Sequence, residues 1–347
     1  MKNSTHGSGQ IRLSKAPALA YRAPRPANLR WVSRLTALVV AGLLPAGTAS
    51  TDAPGELMEL TGLDQKPFAR LEASGVAYHA GRLVVVDDTE NDIFVFDTSG
   101  RLVSRIHSAQ FPEVQAKFED IAYDEKSGSY LAVGSHSGFG PEDLDRQSLL
   151  VEFRIRRLGA IDEKSIRTLP LREPFVHLGM WKPRAMKIEG LAVDARRQTL
   201  FVGLREPVDR ARIYRSRLDY LRSGEPRLEL ALEFDAGSVE STPYCVSGLV
   251  WDSHASGLLI ATSTEDDSTH EFLGNRLWYW TPGEEPVLLL DRFDVGRKAE
   301  GLALGAGRLF VIYDNDQDDT GIGSALRVIP TGALVARSEI DGRPARQ

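Results

Sequence analysis

A short pattern of small and apolar residues recurs five times along the chain. Each copy begins with Glu or Ser, continues with Gly or Asp, and then alternates large apolar side chains with other side chains. Such alternation is typical of a β-strand, whose successive side chains point to opposite faces. The five copies are Ser74-Gly75-Val76-Ala77-Tyr78, Glu119-Asp120-Ile121-Ala122-Tyr123, Glu189-Gly190-Leu191-Ala192-Val193, Ser247-Gly248-Leu249-Val250-Trp251 and Glu300-Gly301-Leu302-Ala303-Leu304.

A turn and further apolar runs follow each copy. The copies recur roughly every fifty-five residues, and periods of roughly 40–50 residues with four strands are those of propeller blades. The pattern therefore predicts an all-β fold, a β-propeller of five four-stranded blades, with six blades as the alternative. The second strand of each blade is predicted at Leu83 to Val86, Tyr130 to Val133, Leu200 to Val202, Leu258 to Ala261 and Leu309 to Tyr313.

The small residues fit the first strand of a blade. This strand lies nearest the propeller axis, where neighbouring sheets converge, and Gly or Ala there permits close approach of the backbones. A solenoid of open repeats would instead carry atypical cap repeats at its ends. We therefore expect a closed ring.

Two segments compete to complete the last blade. Glu56 to Leu63 reads as a strand that precedes the first repeat, and it could pair with the last blade. Leu334 to Ile340, near the other end of the chain, could take the same place. The sequence leaves both alternatives open.

Residues 1–50 differ in kind from the rest. They hold seven basic residues and no acidic one, followed by the apolar run Leu35 to Leu44 and the small-residue stretch Pro45 to Ser50. A basic segment, a short apolar core and a small-residue exit are typical of a secretory signal peptide. The run is too short to span a bilayer. We predict a signal peptide at 1–50, a single propeller domain at 51–347, and a secreted, periplasmic protein that is not an integral membrane protein.

The charge changes once that segment is removed. The whole chain has 42 basic and 48 acidic residues, so loss of seven basic residues leaves a net charge of −13. Nucleic acid requires a basic surface, so we do not expect it as a partner. Cys245 is the single cysteine, which excludes an intrachain disulfide, and we expect a buried, unreactive thiol.

The start of each first strand and the end of each second strand lie at the same rim of an antiparallel propeller. This rim should carry Glu119, Glu189 and Glu300. Acidic loops are predicted there in blades four, five and one, and more basic ones in blades two and three. The acidic residues are Asp87, Asp88, Glu265, Asp266, Asp314 and Asp316, and the basic side carries His136, Arg205, Arg210, Arg212, Arg215 and Arg217.

One acidic loop resembles a calcium loop in its spacing. Asp314, Asp316 and Asp318 stand at positions i, i+2 and i+4, as calcium-binding oxygens do. The sixth position is Asp319 rather than Gly, and the twelfth is Ala325 rather than Glu, so the EF-hand pattern fails. Calcium is the one cofactor that the sequence suggests, and a solvated acidic loop is the alternative.

A lysine precedes each of the three rim glutamates by two residues. Because residues i and i+2 of a strand share a face, Lys117, Lys187 and Lys298 should each lie beside a Glu. This arrangement opposes a metal site and favours ion pairs that hold the blades together. The same glutamates, with His136 and Arg205, are our candidate ligand-binding residues.

Catalytic signatures are few. Gly134-Ser135-His136-Ser137-Gly138 resembles an esterase elbow but places His where Ser is required. His136 and His270 could act as general bases in rim loops, although an exposed histidine is the simpler interpretation. His136 and Arg205 are the candidate catalytic residues.

A long insertion joins blades two and three. It runs from Arg172 to Arg184 and contains Phe175 and Trp181. Long loops on a rigid scaffold often carry binding sites. Packing over the interface between the two blades is the equally good alternative.

The combination of these motifs resembles a known family. Ile188-Glu189-Gly190-Leu191-Ala192, Leu200 to Pro207, Glu300 to Ala303 and Leu309 to Asp316 look like the bacterial propeller family catalogued as domain of unknown function 3616. That family is similar to the esterase-like phytase propellers through its Glu-Gly-Leu-Ala strands. The resemblance covers roughly residues 55–341 and implies an exported propeller without an assigned reaction. Ser74 and Ser247 depart from its Glu pattern.

We therefore expect an exported propeller that binds a small molecule or a protein partner at the rim of its channel. The alternative is a calcium-assisted hydrolase of phosphoesters or esters.

Overall fold

The structure is a computed structural model that describes residues 54–67, 71–89, 92–107, 111, 117–136, 147, 149–156, 159–178, 186–206, 209–225, 227–266, 269, 271–314 and 323–334. Within these residues the chain forms five four-stranded antiparallel sheets and one two-stranded pair. The predicted β-propeller of five four-stranded blades is confirmed, and the six-bladed alternative is wrong. The predicted signal peptide lies outside the described residues.

Each blade is built mainly from consecutive hairpins, and its first strand lies innermost. The chain begins with β1 (Glu56–Glu59). Blade one comprises β2 (Ala73–His79), β3 (Arg82–Asp87), β4 (Ile93–Asp97) and β5 (Leu102–Ile106). Blade two comprises β6 (Phe118–Asp124), β7 (Ser129–Gly134), β8 (Leu149–Phe153) and β9 (Arg167–Pro170).

The later blades follow the same order. Blade three comprises β10 (Lys187–Asp194), β11 (Thr199–Glu206), β12 (Ala211–Arg217) and β13 (Glu229–Phe234). A short pair, β14 (Ser238–Val239) and β15 (Thr242–Pro243), leads to blade four, which comprises β16 (Cys245–Asp252), β17 (Gly257–Glu265), β18 (Phe272–Trp280) and β19 (Val287–Phe293). Blade five comprises β20 (Lys298–Gly305), β21 (Arg308–Asp314), β22 (Ala325–Pro330) and β1.

Short helices lie in the connections. A 3₁₀ turn spans Glu163–Ser165, α1 spans Arg172–His177 between blades two and three, and α2 spans Leu218–Ser223 within blade three. Phe175 of α1 is buried against Tyr214, with ring centroids 5.8 Å apart. Through Phe175, the insertion therefore packs over the interface between blades two and three. Trp181 lies outside the described residues.

The hydrophobic core is divided among the interfaces between blades. The buried residues of the described chain form five clusters, and each cluster joins two neighbouring blades. The first strand of every blade also contacts the first strands of both its neighbours. Five interfaces for five blades mean that the ring is closed. Central residues of these clusters are Phe118 and Phe153, Leu150 and Ile188, Val246 and Ile260, Leu302 and Val311, and Phe94 and Phe310.

The N-terminal strand closes the ring. In blade five β1 pairs antiparallel with β22, with Glu56 opposite Val328 and Glu59 opposite Ala325. Of the two alternatives left by the sequence, the N-terminal segment completes the last blade. All but the first residue of the competing segment, Leu334 to Ile340, lies outside the described residues.

Close contact around the axis explains the glycines of the repeated motif. A Cβ on Gly301 would stand 2.8 Å from the Cα of Gly75, and a Cβ on Gly248 would stand 3.1 Å from the Cα of Gly301. A Cβ at 2.8 Å from a backbone atom would force the strands apart, and one at 3.1 Å would require a neighbour to shift. The small residue therefore permits neighbouring first strands to meet, as the sequence indicated.

Candidate functional site

A β-bulge occurs at the same place in the first strand of every blade. In blade one Ala73 pairs with Asp87 and Gly75 pairs with Val86, so Ser74 between them has no partner on β3. A bulge leaves one residue outside the ladder and changes the direction of its side chain. The bulged residues of the five blades are Ser74, Glu119, Glu189, Ser247 and Glu300.

Glu189 is the buried centre of an ion-pair network at this end of the channel. Its Oε1 lies 2.5 Å from Lys187 Nζ, 2.8 Å from Arg205 Nη1 and 3.6 Å from Lys298 Nζ. Burial alone raises the pKa of Glu189, but Arg205, Lys187 and Lys298 together outweigh it and hold the pKa well below its usual value. Glu189 is therefore ionised.

Glu119 and Glu300 lie on either side and share those cations. Lys187 Nζ lies 3.8 Å from Glu119 Oε1, and Lys298 forms a close ion pair with Glu300. Burial is the largest effect on both carboxyl groups and raises their pKa, in Glu300 well above the usual value. Buried carboxyl groups of like charge that stand close together do not all ionise. The site therefore combines an ionised Glu189, whose pKa is lowered, with two carboxyl groups whose pKa is raised.

Two further pairs extend the network to the remaining blades. Arg205 Nη2 donates to Glu265 Oε2 of blade four at 2.8 Å. Lys117 Nζ lies 2.7 Å from Asp88 Oδ2 of blade one. The predicted Lys–Glu neighbours are confirmed for Lys187 and Lys298, whereas Lys117 forms its ion pair with Asp88. We call this end of the channel the glutamate mouth, defined by Glu119, Glu189, Glu300, Lys117, Lys187, Lys298, Arg205, Asp88 and Glu265.

Several buried oxygens of the glutamate mouth lack a hydrogen-bond partner among the described residues. They are Glu119 Oε1, Glu189 Oε2, Glu300 Oε2 and Ser247 Oγ. The equivalent Ser74 differs, because its hydroxyl donates to the Phe118 carbonyl at 2.6 Å. A buried polar group without a partner costs about 1–3 kcal/mol. A hydrogen-bond donor from water or from a bound molecule would therefore stabilise each of these oxygens.

Asp120 lies where the other four copies of the motif have Gly. Its fully buried carboxyl accepts hydrogen bonds from the backbone N–H of Leu191, at 2.6 Å, and of Ile121, at 2.8 Å. Burial raises the pKa of Asp120 well above its usual value, against the opposing effect of backbone donors that include Leu249. Because these donors belong to blades two, three and four, the Asp120 side chain fills the axis beneath the glutamate mouth.

His136 is buried, and the expectation of an exposed histidine is wrong. Its Nδ1 lies 3.0 Å from the Gly134 carbonyl, and its ring contacts Phe175 edge to face at 6.0 Å. Burial lowers the pKa of His136 to about 4, so the ring is neutral near pH 7. His136 Nε2 has no partner among the described residues. Insertion helix α1 supplies the covering aromatic ring, while His270 lies outside the described residues.

The predicted acidic sector divides into different roles. Asp87 is buried and accepts backbone N–H bonds from Glu72 and Thr89, so it shapes a turn. The Glu72 carboxylate also accepts a hydrogen bond from the Thr89 hydroxyl. Burial raises the pKa of Glu72 to about 7; Thr89 opposes this shift, whereas Asp88 and Asp314 add to it. In blade four, Asp266 accepts the N–H of Thr269.

The calcium prediction cannot be followed along the whole loop. Asp314 ends β21, whereas Asp316 and Asp318 lie outside the described residues. Across the ranges that the structure describes, no three His, Cys, Asp or Glu side chains are grouped to hold a metal ion.

The arginines predicted for the basic side of the rim, Arg205 excepted, form local ion pairs within blade three. Arg212 donates to Asp209 and Glu233. Neighbouring acidic side chains thus neutralise much of the positive charge predicted for this side of the rim. The other pairs are Arg210 with Glu233, Arg215 with Glu229, and Arg217 with Asp219.

The remaining features are structural. Cys245 is buried at the start of β16, as expected. In the described part of the chain, no helix is both long enough and apolar enough to cross a bilayer. Asp120 and Glu72 were missed by the sequence reasoning, although the break in the Gly pattern at Asp120 was a visible signal.

Comparison with known proteins assigns this chain neither a family nor a function. No protein-family model matches the chain, and no curated protein sequence matches it. A chain of a nidogen/laminin complex aligns with a TM-score of 0.43 and 14% identity, over 75% of this chain and 85% of that one. An exo-beta-1,3-galactanase from Phanerochaete chrysosporium, solved with beta-1,3-galactotriose, aligns with a TM-score of 0.46 and 9% identity, over 79% of this chain and 64% of that one. At these scores the likenesses carry no argument about function. The sheets themselves define a five-bladed β-propeller.

Proposed function

We propose that this propeller is an exported binding protein whose ligand sits at the glutamate mouth. The observation that supports this proposal is the set of buried oxygens on Glu119, Glu189, Glu300 and Ser247 that lack hydrogen-bond partners among the described residues. They belong to four different blades and occupy equivalent bulges. A repeated structural position that presents polar atoms at a channel is a favourable place for a polar ligand.

The chemistry of the mouth defines a ligand class. Three of the four oxygens without a hydrogen-bond partner are carboxyl oxygens. The neighbouring Lys187, Lys298 and Arg205 form ion pairs with Glu189. A ligand that complements this arrangement brings several hydrogen-bond donors. We therefore propose a small molecule rich in hydroxyl or primary amine groups.

The glutamates divide between structure and binding in this proposal. Glu189 holds three cations and stabilises the contact between blades. Glu119 and Glu300 each contact fewer cations, and each has one oxygen without a hydrogen-bond partner among the described residues, although Oε1 of Glu119 also faces Lys187. Changes at Glu119 or Glu300 should therefore affect binding more than changes at Glu189.

Export and family membership remain parts of the proposal. The order of basic, apolar and small residues in 1–50 supports a signal peptide and a periplasmic location. The Glu-Gly-Leu-Ala strands support membership of the propeller family named above. Mass spectrometry of the native protein should find an N-terminus near Thr51, and an intact Met1 in the cytoplasm would contradict export.

A thermal-shift screen tests the binding proposal. Monosaccharides, polyols and primary amines are compared as ligands, because binding to the folded state raises the melting temperature by mass action. We expect a stabilising compound whose effect is lost in Glu119→Gln and Glu300→Gln. Glu229→Gln is the matched control, since Glu229 forms an exposed ion pair with Arg215 on the outer strands.

The screen also has a clear negative result. If no compound of these classes raises the melting temperature, the proposed ligand class is wrong. If stabilisation persists unchanged in both glutamate variants, the ligand binds elsewhere.

A hydrolase is the second candidate function. The observation that favours it is the opposite pKa shift within one cluster: lowered in Glu189, raised in Glu119 and Glu300. A carboxyl group with a raised pKa can act as a general acid. In this candidate Glu119 or Glu300 protonates the leaving group, and the carboxylate that this leaves takes the proton of the attacking water, while Glu189 holds the surrounding cations in place.

Turnover of generic esters and phosphoesters, with and without millimolar calcium, tests this candidate. Activity that disappears in Glu189→Gln but survives in Glu229→Gln would support hydrolysis. Calcium dependence would support the predicted loop at Asp314, Asp316 and Asp318. Absence of turnover under both conditions would leave the binding function.

A further inference from the structure

A cavity opens at the opposite end of the channel, far along the first strands from the glutamate mouth. Its volume is about 670 Å³, and residues from all five blades line it. Pockets that bind small molecules commonly measure about 300–1,000 Å³. We call it the turn-side cavity, because its opening lies among the turns that follow the first strands at Ala80, Glu125, Arg196, His254 and Ala306.

The floor of the turn-side cavity is apolar. It is formed by the residue that follows the Gly or Asp of each repeated motif. All five of these residues are almost completely buried and are Val, Ile or Leu. They are Val76, Ile121, Leu191, Leu249 and Leu302.

The cavity is closed toward the glutamate mouth. One residue closer to that mouth along β6, the Asp120 side chain occupies the centre of the channel, and its carboxyl accepts a hydrogen bond from the backbone N–H of Leu191. At the same depth the close approach of Gly248, Gly301 and Gly75 narrows the channel. A ligand can therefore enter the cavity from the turn side but cannot pass through to the glutamates.

The opening combines aromatic rings with two available cations. Tyr123 and Trp251 stand above the apolar floor. Arg196 and Arg308, on blades three and five, line the opening, and their side chains form no ion pair with any described residue. Arg197 differs, because it donates to Asp194 at 3.0 Å.

The opening also carries two acidic residues, Asp252 and Glu125, as many as its arginines. Asp252 accepts the backbone N–H groups of His254, at 2.9 Å, and Ala255, at 3.2 Å. Glu125 lies near His79 and Tyr123 on the other side of the ring. Blades three to five therefore present two guanidinium groups without ion pairs beside one carboxylate, that of Asp252. The backbone of its own turn already donates hydrogen bonds to this carboxylate.

We propose that the turn-side cavity is a second binding site, which takes a small anion with an apolar body, such as a medium-chain or aromatic carboxylate. The apolar body fills the floor of the channel, where its burial contributes about 25 cal/mol per Å². The carboxylate lies at the opening, which Arg196 and Arg308 line, and guanidinium groups are good hydrogen-bond donors to carboxylates. This site is separate from the glutamate mouth and does not depend on its function.

Titration calorimetry with decanoate, below its micellar concentration, tests the proposal. Decyltrimethylammonium is the matched probe, since it has the same apolar chain and the opposite charge. We expect decanoate to bind and the ammonium compound to bind at least about tenfold more weakly, a factor of ten being 1.4 kcal/mol. Equal affinity for the two probes would overturn the assignment of the charged end.

Variants locate the site. Arg196→Ala combined with Arg308→Ala should weaken decanoate about tenfold. Arg215→Ala is the control, because Arg215 lies on the outer face of blade three and pairs with Glu229. Ser253→Trp, which places a large ring at the opening, should abolish binding while the melting temperature stays close to that of the native protein.

The result that overturns the proposal is equally specific. It is absence of decanoate binding to the native protein, or decanoate binding that survives both the double arginine variant and Ser253→Trp. Glu119→Gln should leave decanoate affinity unchanged. Loss of affinity in that variant would place the ligand at the glutamate mouth and contradict a second site.

Discussion

Three cations from two blades converge on one buried carboxylate, that of Glu189. The sequence predicted one of these contacts, because the spacing of Lys187 and Glu189 puts both on one face of β10. It could not predict that Lys298 of blade five reaches across the channel to the same oxygen. Such a contact depends on the closed ring and on the direction that the bulge gives each side chain.

Replacement of Glu189 should destabilise the protein. Glu189→Gln removes the charge that Lys187, Arg205 and Lys298 share and leaves three buried cations with one acceptor fewer. Breaking a buried ion pair in this way costs about 3–5 kcal/mol. Urea unfolding should show this loss, whereas Glu229→Gln should change stability by no more than about 0.5 kcal/mol. An unchanged stability of Glu189→Gln, together with lost ligand binding, would make Glu189 a binding residue instead.

Glu72 should make stability depend on pH in the opposite direction to an ordinary carboxylate. Its pKa rises from 4.5 to about 7 on folding, so the folded state binds the proton more tightly than the unfolded chain. This contribution is fully present below pH 4.5 and is lost as the pH rises through about 7. Native protein should therefore lose stability relative to Glu72→Gln between pH 5 and pH 8.

The measurement is urea unfolding of both proteins at several pH values in that range. The comparison with Glu72→Gln cancels the titration of groups that both proteins share. A stability difference that does not change with pH, or that grows in favour of the native protein as the pH rises, would contradict the shift.

Histidine at position 136 shows what residue-level reasoning missed. The sequence places His136 in a loop after β7, where an exposed side chain is the ordinary expectation. In the structure Phe175, from an insertion almost forty residues further along the chain, covers the ring. Burial that is supplied by a distant insertion leaves no pattern around the histidine itself.

At the scale of the element, the first strand of each blade combines a glycine contact with a bulge. Gly75, Gly248 and Gly301 were assigned to the axis from sequence, because only small residues permit the convergence of sheets. The bulges were not predicted, since a run of alternating residues gives no sign of an unpaired position. The alternation of apolar and other residues therefore predicted the strands, whereas the β-bulges arise from the close packing of the strands around the axis.

The glycine contact predicts a specific sensitivity. Gly301→Ala should destabilise the protein, because its Cβ would stand 2.8 Å from both Gly75 Cα and Val76 N. Forcing an extra carbon into such a contact costs about 1–3 kcal/mol. Gly332→Ala is the matched control, since a Cβ there meets nothing within 4 Å. Thermal melts of the two variants should differ clearly, and equal melting temperatures would contradict the packing.

At the scale of the whole molecule, five interfaces between blades make one closed ring. The number of blades followed from the number of motif copies. The closing strand did not, because Glu56 to Leu63 and Leu334 to Ile340 both read as strands. Their competition is decided by contacts between the two ends of the chain, which local sequence does not encode.

Removal of the closing strand tests the ring. A chain that begins at Thr61 lacks β1 and exposes the edge of β22, and unpaired strand edges promote association. We expect a lower melting temperature and higher-order species in size-exclusion chromatography. A chain that begins at Gly55 retains β1 and serves as the control. Identical behaviour of both chains would show that β1 contributes nothing to closure.

Closure by the N-terminal strand also imposes an order on folding. The Gly55 carbonyl accepts a hydrogen bond from Arg327, 272 residues away in sequence. Loop closure over such a distance is slow, because its entropy must be lost before the contact is gained. During synthesis the first four blades can assemble one after another, while β1 waits for β22 to emerge. We therefore expect the pairing of β1 with β22 to be the last stage of folding, so that an unfinished chain keeps an open sheet edge.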